Sequence, residues 1–444
     1  MSISILILGN DVNQITASIL SIRHSLTDED YKIFIAAENI EQISKEDIFA
    51  DKNDCDFMNV NPTKIDEACQ KLLDKSVSDS ILFLYAGSLL TGSALKFMEQ
   101  LLNSDKKIGA IGPLMNYTFY NNSNNQRLRI NVSYKNLNDL EFLENKLLEA
   151  QKPNRKTLVL EGSCLLMRRE TLQEIGIPDS QLGAYWSADY SMRLWQAGYE
   201  LLICSKSYVH SVPMQNNTSV IPFQNKWGFD ITYSLHARLE LLAMTDLNKE
   251  NLRVLDLGCA CGHNLLVIKD RNPSAELFGV EFNQGAAKVA NSFGKVFSAD
   301  LETWNNDEWN NSFDLIIMAD IIEHLKETML VLKKVYNWLK PGGQLIMSIP
   351  NIMNIEVLAD LIINGRWEYQ DAGILDRTHL RFFTRKEIVI YLQQANFKLS
   401  EIKFNQTAIT PRMKDLFNAL MSVRGNDIFD GDFTAYQWFV KALK

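Results

Sequence analysis

The stretch Val254-Leu-Asp-Leu-Gly-Cys-Ala-Cys-Gly-His-Asn264 constrains this chain more than any other. An apolar run with β character, Arg253 to Leu257, breaks into a loop bracketed by Gly258 and Gly262. A helical pattern from Asn264 to Lys269 follows at once. Strand, glycine turn and helix in that order set a ligand against a helix N-terminus, where unpaired N–H groups favour negative charge. The loop lacks the close glycine pair of Gly-x-Gly-x-x-Gly, which in dinucleotide folds admits a pyrophosphate.

The residues after it alternate between strand and helix patterns. Glu276 to Glu281 reads as a second strand ending in an acid, at about the separation from the loop at which an acid commonly holds a ribose. A carboxylate offers two oxygens to the 2′ and 3′ hydroxyls, and Phe282 is placed to flank an adenine. Lys295 to Asp300 reads as a third strand; Asp300 suits the adenine amino group, with Leu301 beside it. Phe313 to Asp320 is a fourth, closing on Ala319 and Asp320 and opening into Ile-Ile-Glu-His324. A helix, the turn Pro341-Gly-Gly343 and a strand from Gln344 to Ile349 complete the unit. Ahead of the loop, Phe229 to Thr245 reads as a leading helix, and near the end of the chain Ala435 to Val440 reads as a terminal antiparallel edge strand.

Taken together, Asp256/Gly258/Gly262, Glu281, Asp300, Met318-Ala-Asp-Ile-Ile-Glu-His324 and Pro341-Gly-Gly343 resemble class I S-adenosylmethionine-dependent methyltransferases. The resemblance implies S-adenosylmethionine as cofactor. Its aminocarboxypropyl arm would sit in the loop formed by Asp256, Gly258, Cys259 and Gly262, and the rest of the pocket would use Glu281, Phe282, Asp300, Leu301, Ala319 and Asp320. Cys259 and Cys261 read as small loop residues, not catalytic thiols.

Residues 365–384, from Gly365-Arg-Trp-Glu-Tyr to Leu-Asp-Arg-Thr-His-Leu-Arg-Phe-Phe-Thr384, are dense in aromatic and charged groups. They resemble a segment of methyltransferases found beside glycosyltransferases in bacterial polysaccharide gene sets. Trp367 and Tyr369 can stack on a sugar face, and Arg377 or Arg381 can meet a phosphate or carboxylate. An internally paired structural insertion, Asp376 with Arg381, is the competing reading. Methyl transfer to an alcohol needs a base, and neutral imidazole is the natural one near pH 7. His379 is the first candidate and His324 the second. No metal is expected.

The first half alternates too: strands at Ser2–Leu8, Tyr31–Ala37, Ser80–Tyr85 and Lys107–Pro113 with helical patterns between them imply a parallel sheet. Leu158 to Glu170, Ala188-Asp-Tyr-Ser-Met-Arg193, Gly198-Tyr199 and His210 resemble the second half of family-two, GT-A type glycosyltransferases. That implies a nucleotide-sugar fold over residues 1–215. The family's metal-binding Asp-x-Asp is absent, since the matching stretch is Leu84-Tyr85-Ala86-Gly87-Ser88. Its catalytic base falls on Ser187, while Asp189 remains to bind a sugar hydroxyl or cap a helix.

At 444 residues the chain is long enough for two or three cores. A formal charge of -9 argues against coating nucleic acid, and no apolar run approaches the ~20 residues that span a bilayer. The N-terminus lacks a signal-peptide pattern, and six scattered cysteines suit reduced thiols in the cytoplasm. The sequence therefore predicts an α/β chain: a GT-A-like domain (1–215), a linker (216–228), and a Rossmann-like methyltransferase domain (229–444). The expected reaction is O-methylation of a sugar or of a glycan on a lipid or protein carrier, beside a binding-only glycosyltransferase-like module. A bifunctional enzyme and a non-catalytic scaffold of a glycan-assembly complex are the alternatives.

Overall fold

The structure is a computed structural model and describes residues 2–26, 30–38, 41, 54–120, 137–212, 218–424, 429 and 431–444. The chain divides into two compact units, Met1–His236 and Ala237–Lys444.

In the N-terminal unit, β1 (Ile3–Leu8) is buried at every position, as befits a strand covered on both faces. It pairs in parallel with β2 (Tyr31–Ala37) and with β4 (Ser80–Tyr85), and β3 (Cys55–Asn59) extends the sheet beyond β2. The other strands are β5 (Leu89–Leu90), β6 (Ile108–Met115), β7 (Arg155–Lys156), β8 (Cys164–Arg168) and β9 (Glu200–His210). Their order is β3-β2-β1-β4-β8-β6-β9-β5, with β7 on β9. The expected all-parallel sheet is thus mixed, because β8 enters between β4 and β6 running against both. The stretch 116–138 is Asn-rich, a composition that predicts a surface loop, and it falls largely outside the described residues.

The join also differs from expectation. Ile221–Trp227, within the predicted linker, is a helix that starts with Pro222 in its first turn and stops at Gly228 in a left-handed conformation. The single helix predicted over 229–245 is two short turns, Ile231–Ser234 and Leu239–Leu242. Between them the Arg238 N–H bonds the Asn264 side chain, not a helical carbonyl.

The C-terminal unit is a seven-stranded sheet in the order β12-β11-β10-β13-β14-β16-β15. These are β10 (Arg253–Leu257), β11 (Glu276–Glu281), β12 (Lys295–Ser298), β13 (Phe313–Ala319), β14 (Leu339–Pro350), β15 (Lys398–Gln406) and β16 (Ala435–Leu443). The first five are parallel. β16 is antiparallel, but it lies inside the sheet between β14 and β15; the edge strand is β15, so the predicted antiparallel edge is corrected. Trp438 and Val440 on this inner strand are fully enclosed. The Pro341-Gly-Gly343 turn is absorbed into β14, where the register slips between the Phe313 and Leu315 pairings and Gly342 takes φ +77°. Under the sheet, Trp309 meets Trp304, Trp338 and Phe313 edge to face, a packed aromatic wall beneath β13.

Strand order reverses between β10 and β13. In open parallel sheets the crevice beyond the strand ends at such a reversal is where ligands bind.

Candidate active site

Asp256 sits on β10 with Gly279 of β11 on one side and Ile317 of β13 on the other. Its carboxylate is 1% exposed. One oxygen accepts from Asn264 Nδ2 at 3.2 Å, and the other has no hydrogen-bond partner among the described residues. Burial pushes its pKa up to about 7, against the pull of Asn264 and with a push from Glu281. Past it the chain takes positive φ at Gly258 (+69°), Ala260 (+46°) and Gly262 (+80°). A Cβ on Gly258 would stand 2.1 Å from the flexible end of Ile321, at Cδ1, so the positive φ is the main reason for glycine here. Cys259 packs its sulfur where a Gly279 side chain would go. Its burial raises the thiol pKa well above the ordinary value, which removes it as a nucleophile.

Ala260 donates its N–H to Glu281 Oε2 at 2.8 Å, and the Asn283 N–H reaches Oε1 at 2.7 Å. Burial lifts the Glu281 pKa while these N–H groups hold it down. At the end of β13, Asp320 takes φ +55°. It accepts from Ser348 Oγ of β14 at 2.7 Å and from Gln437 of β16, and it is ion-paired with Arg238. Since Arg238 also bonds Asn264, a polar chain Asp256–Asn264–Arg238–Asp320 runs across the point of strand reversal. Phe282 is 78% exposed, and Asp300 lies on the surface two residues beyond the end of β12, bonded to the Glu302 N–H. Leu301 is partly buried against the aromatic wall, and Ala319 is half-buried.

The 365–384 segment brings the two histidines together. Their rings meet edge to face with centroids 4.8 Å apart. His379 Nδ1 bonds the Ile374 carbonyl at 2.9 Å and His324 Nδ1 bonds the Thr378 carbonyl at 3.2 Å. Desolvation lowers the His324 pKa, and His379 beside it lowers it further. Between them Glu323 is 1% exposed, and burial and then repulsion from Asp320 raise its carboxyl well above the usual range. Trp367 and Tyr369 are about half-exposed and pack on Phe382, which also contacts His379. Arg377 pairs with Asp371 at the surface. Arg381 donates to the Lys326 carbonyl while Asp376 accepts from Thr378, so the internal Asp376–Arg381 pair is not formed. Behind this segment, Ile374, Gln370, Tyr436, Glu356 and Arg412 line a cavity of about 340 Å³, within the size range of small-molecule sites.

In the N-terminal unit Asp189, expected to bind a sugar hydroxyl or cap a helix, is fully buried. Arg193, Lys226 and Trp227 occupy its two oxygens at 3.0, 2.8 and 3.0 Å. Ser187 is buried too, against Tyr120 Oη at 3.1 Å. Among the described residues, no carboxylate stands at the Tyr85–Ser88 turn where the Asp-x-Asp would be.

The model of a family described as "Methyltransferase domain" matches residues 230–402. Residues 230–402 are a methyltransferase domain. Among curated relatives, an (S)-coclaurine N-methyltransferase of Papaver somniferum is 32% identical over 121 residues, covering 24% of this chain and 34% of its own. A carboxy-S-adenosyl-L-methionine synthase of Campylobacter hominis is 30% identical over 121 residues, 26% of this chain and 51% of its own. A ubiquinone biosynthesis O-methyltransferase of Xanthomonas oryzae is 24% identical over 171 residues, 35% of this chain and 66% of its own. The chain thus spans only about a third to two thirds of the length of these relatives. A solved S-adenosylmethionine-dependent methyltransferase from Mesorhizobium loti aligns at TM-score 0.33 and 16% identity, covering 46% of this chain and 96% of its own.

The methyltransferase domain's implied cofactor fits the residues present. The oxygen of Asp256 that has no partner among the described residues is a buried acceptor for a cationic group. Sequence reasoning missed Asn264, Arg238, Ser348 and Gln437. Asn264 was within reach of it, because the first helical turn folds back over the strand that precedes it. Arg238 and Gln437 carry no local signal, being 82 and 117 residues from the Asp320 they hold.

Proposed function

We propose that the C-terminal unit methylates a hydroxyl of a sugar or glycan, free or on a lipid or protein carrier, using S-adenosylmethionine. The observation that carries the reading is the buried, half-satisfied Asp256 at the strand reversal of a methyltransferase domain. When bound, S-adenosylmethionine supplies a methyl group on sulfonium, already activated for in-line displacement. Asp256 and Glu281 hold and orient it, and Cys259 and the two glycines shape its cradle. Asp320 and Ala319 close the far wall of that pocket, with Phe282, Asp300 and Leu301 at its nucleoside end.

The acceptor enters over the 365–384 segment. Trp367 and Tyr369 present ring faces to a sugar, and Arg377 and Arg381 lie in the same segment for an anionic carrier. Both imidazoles spend Nδ1–H on a carbonyl, so each has a lone pair on Nε2; His379, and then His324, is the group to which an acceptor hydroxyl gives up its proton. We read residues 1–215 as a GT-A-like module that binds without transferring, since the positions for metal and base hold Ala86, Gly87 and Ser187. No described helix is long and apolar enough to cross a membrane.

Calorimetry on the full chain should show S-adenosylmethionine binding; its absence would sink the methyltransferase reading. Radiolabelled cofactor added to cell extract should label material released by glycosidases. Label confined to small amines or quinones would overturn the glycan acceptor. Metal-dependent nucleotide-sugar turnover would overturn the binding-only first domain.

A further inference from the structure

Glu323, His324 and His379 each bring one side-chain donor atom to within 4.8 Å of the other two. Glu323 is 1% exposed, and neither of its carboxylate oxygens has a hydrogen-bond partner among the described residues. A buried, unbonded carboxyl is costly unless a positive charge or a ligand completes it.

The imidazoles are oriented by their outer contacts. A backbone carbonyl can only accept, so Nδ1 of His379, 2.9 Å from the Ile374 oxygen, carries the proton and Nε2 the lone pair. The same holds for His324 against the Thr378 oxygen at 3.2 Å. An imidazole that gives one N–H to a carbonyl and keeps the other nitrogen bare is the arrangement that precedes metal ligation. The two segments that supply the ligands are also tied together, because the Glu323 carbonyl accepts from both the Leu380 and Arg381 N–H groups at 2.8 and 3.0 Å. The ligand geometry is therefore held before any ion arrives.

We propose that Glu323, His324 and His379 bind one divalent first-row transition cation, of the zinc, manganese or iron(II) class. Two neutral nitrogens and one carboxylate oxygen suit such an ion and leave coordination positions open. The ligands start three residues past Asp320, at the carboxyl end of β13. An oxygen bound there gives its proton to solvent at a lower pH than a free alcohol does. The role in catalysis rests on the methyl-transfer reading and recasts the histidines as ligands instead of bases; the binding itself does not depend on that reading.

The test uses the full chain, stripped with chelator and titrated with Co²⁺ alone, followed by visible absorption and by equilibrium dialysis. The expected result is one equivalent per chain, with affinity lower by about 100-fold in both Glu323→Gln and His379→Gln. S-adenosylmethionine affinity, measured on the same stripped samples, shows that each variant is folded and reports on the donor site separately. A wild type that takes up no Co²⁺ while binding S-adenosylmethionine overturns the cation site and leaves the methyl-transfer reading intact. Co²⁺ uptake without S-adenosylmethionine binding does the reverse. Uptake that is unchanged in both variants puts the ion elsewhere and also overturns the proposal.

Discussion

The Ala260 N–H donates to Glu281 Oε2 at 2.8 Å, so the glycine loop after β10 and the acid ending β11 form one piece. Glu281 therefore fixes the loop, and under the proposed function it also offers lone pairs to a ribose. Glu281→Ala should weaken S-adenosylmethionine binding by about 10- to 100-fold, the loss expected for hydrogen bonds to a charged group. Glu281→Gln, which keeps one acceptor oxygen, should fall between wild type and alanine. Calorimetry that finds equal affinity in all three proteins would remove the residue from the donor site.

Two glycines with nearly the same backbone separate conformation from crowding. Gly342 has φ +77° with nothing within 4 Å of a built Cβ, whereas at Gly262 (φ +80°) that Cβ would lie 2.9 Å from Ala290 Cα. Gly342→Ala should cost about 1 kcal/mol, the strain of a left-handed alanine alone. Gly262→Ala should cost more, about 2–4 kcal/mol, because a backbone atom must give way. Equal shifts in urea melts would contradict this.

Asp314 connects the start of β13 to Lys249 at 2.6 Å, Lys340 at 2.7 Å and the Arg253 N–H at 3.0 Å. Burial alone would raise its pKa, but the lysines and the N–H outweigh it and draw it from 3.8 to about 2. The folded carboxyl thus titrates below the unfolded one. Its stabilisation is complete above the ordinary pKa and is lost as pH falls from about 4 to about 2. Asp314→Asn should cost about 1–2 kcal/mol at pH 7 and nothing once pH is well below the folded pKa of about 2. A cost that does not change across that window would mean that packing, not charge, is responsible.

Asp189 tests the N-terminal unit. With Arg193, Lys226 and Trp227 on its oxygens, Asp189→Ala removes a buried acceptor of three contacts, while Lys226 keeps Asp179 and Arg193 keeps the Ile175 and Ile177 carbonyls, and it should destabilise by about 1–3 kcal/mol. Nucleotide-sugar affinity per folded molecule should not change. A stable variant that has lost sugar binding would return Asp189 to a ligand-holding role.

The strand–loop–helix at 254–264 was legible because its signals are local: an apolar run, glycines where φ must be positive, and a helix start. The same holds for β11 and β13, whose buried runs end in acids. Signals failed where two distant segments compete for one place. Residues 229–245 have helical spacing, yet Asn264 takes the Arg238 N–H and splits the helix. Asp189 reads as a ligand by its spacing to Arg193, but the fold lays the 221–227 helix on it and spends both oxygens.

The sequence by itself determined the alternation of strands and helices, the cradle at Gly258 and Gly262, and the lack of carboxylates at the first domain's turn. Periodicity and backbone conformation are properties of neighbouring residues, so one dimension carries them. Only the tertiary structure decided that β16 inserts beside β14, that Arg238 and Gln437 converge on Asp320, and that His324, His379 and the buried Glu323 carboxyl share one small volume. Those relations join residues tens to hundreds of positions apart, and burial, which sets their chemistry, exists only once the chain has closed around them.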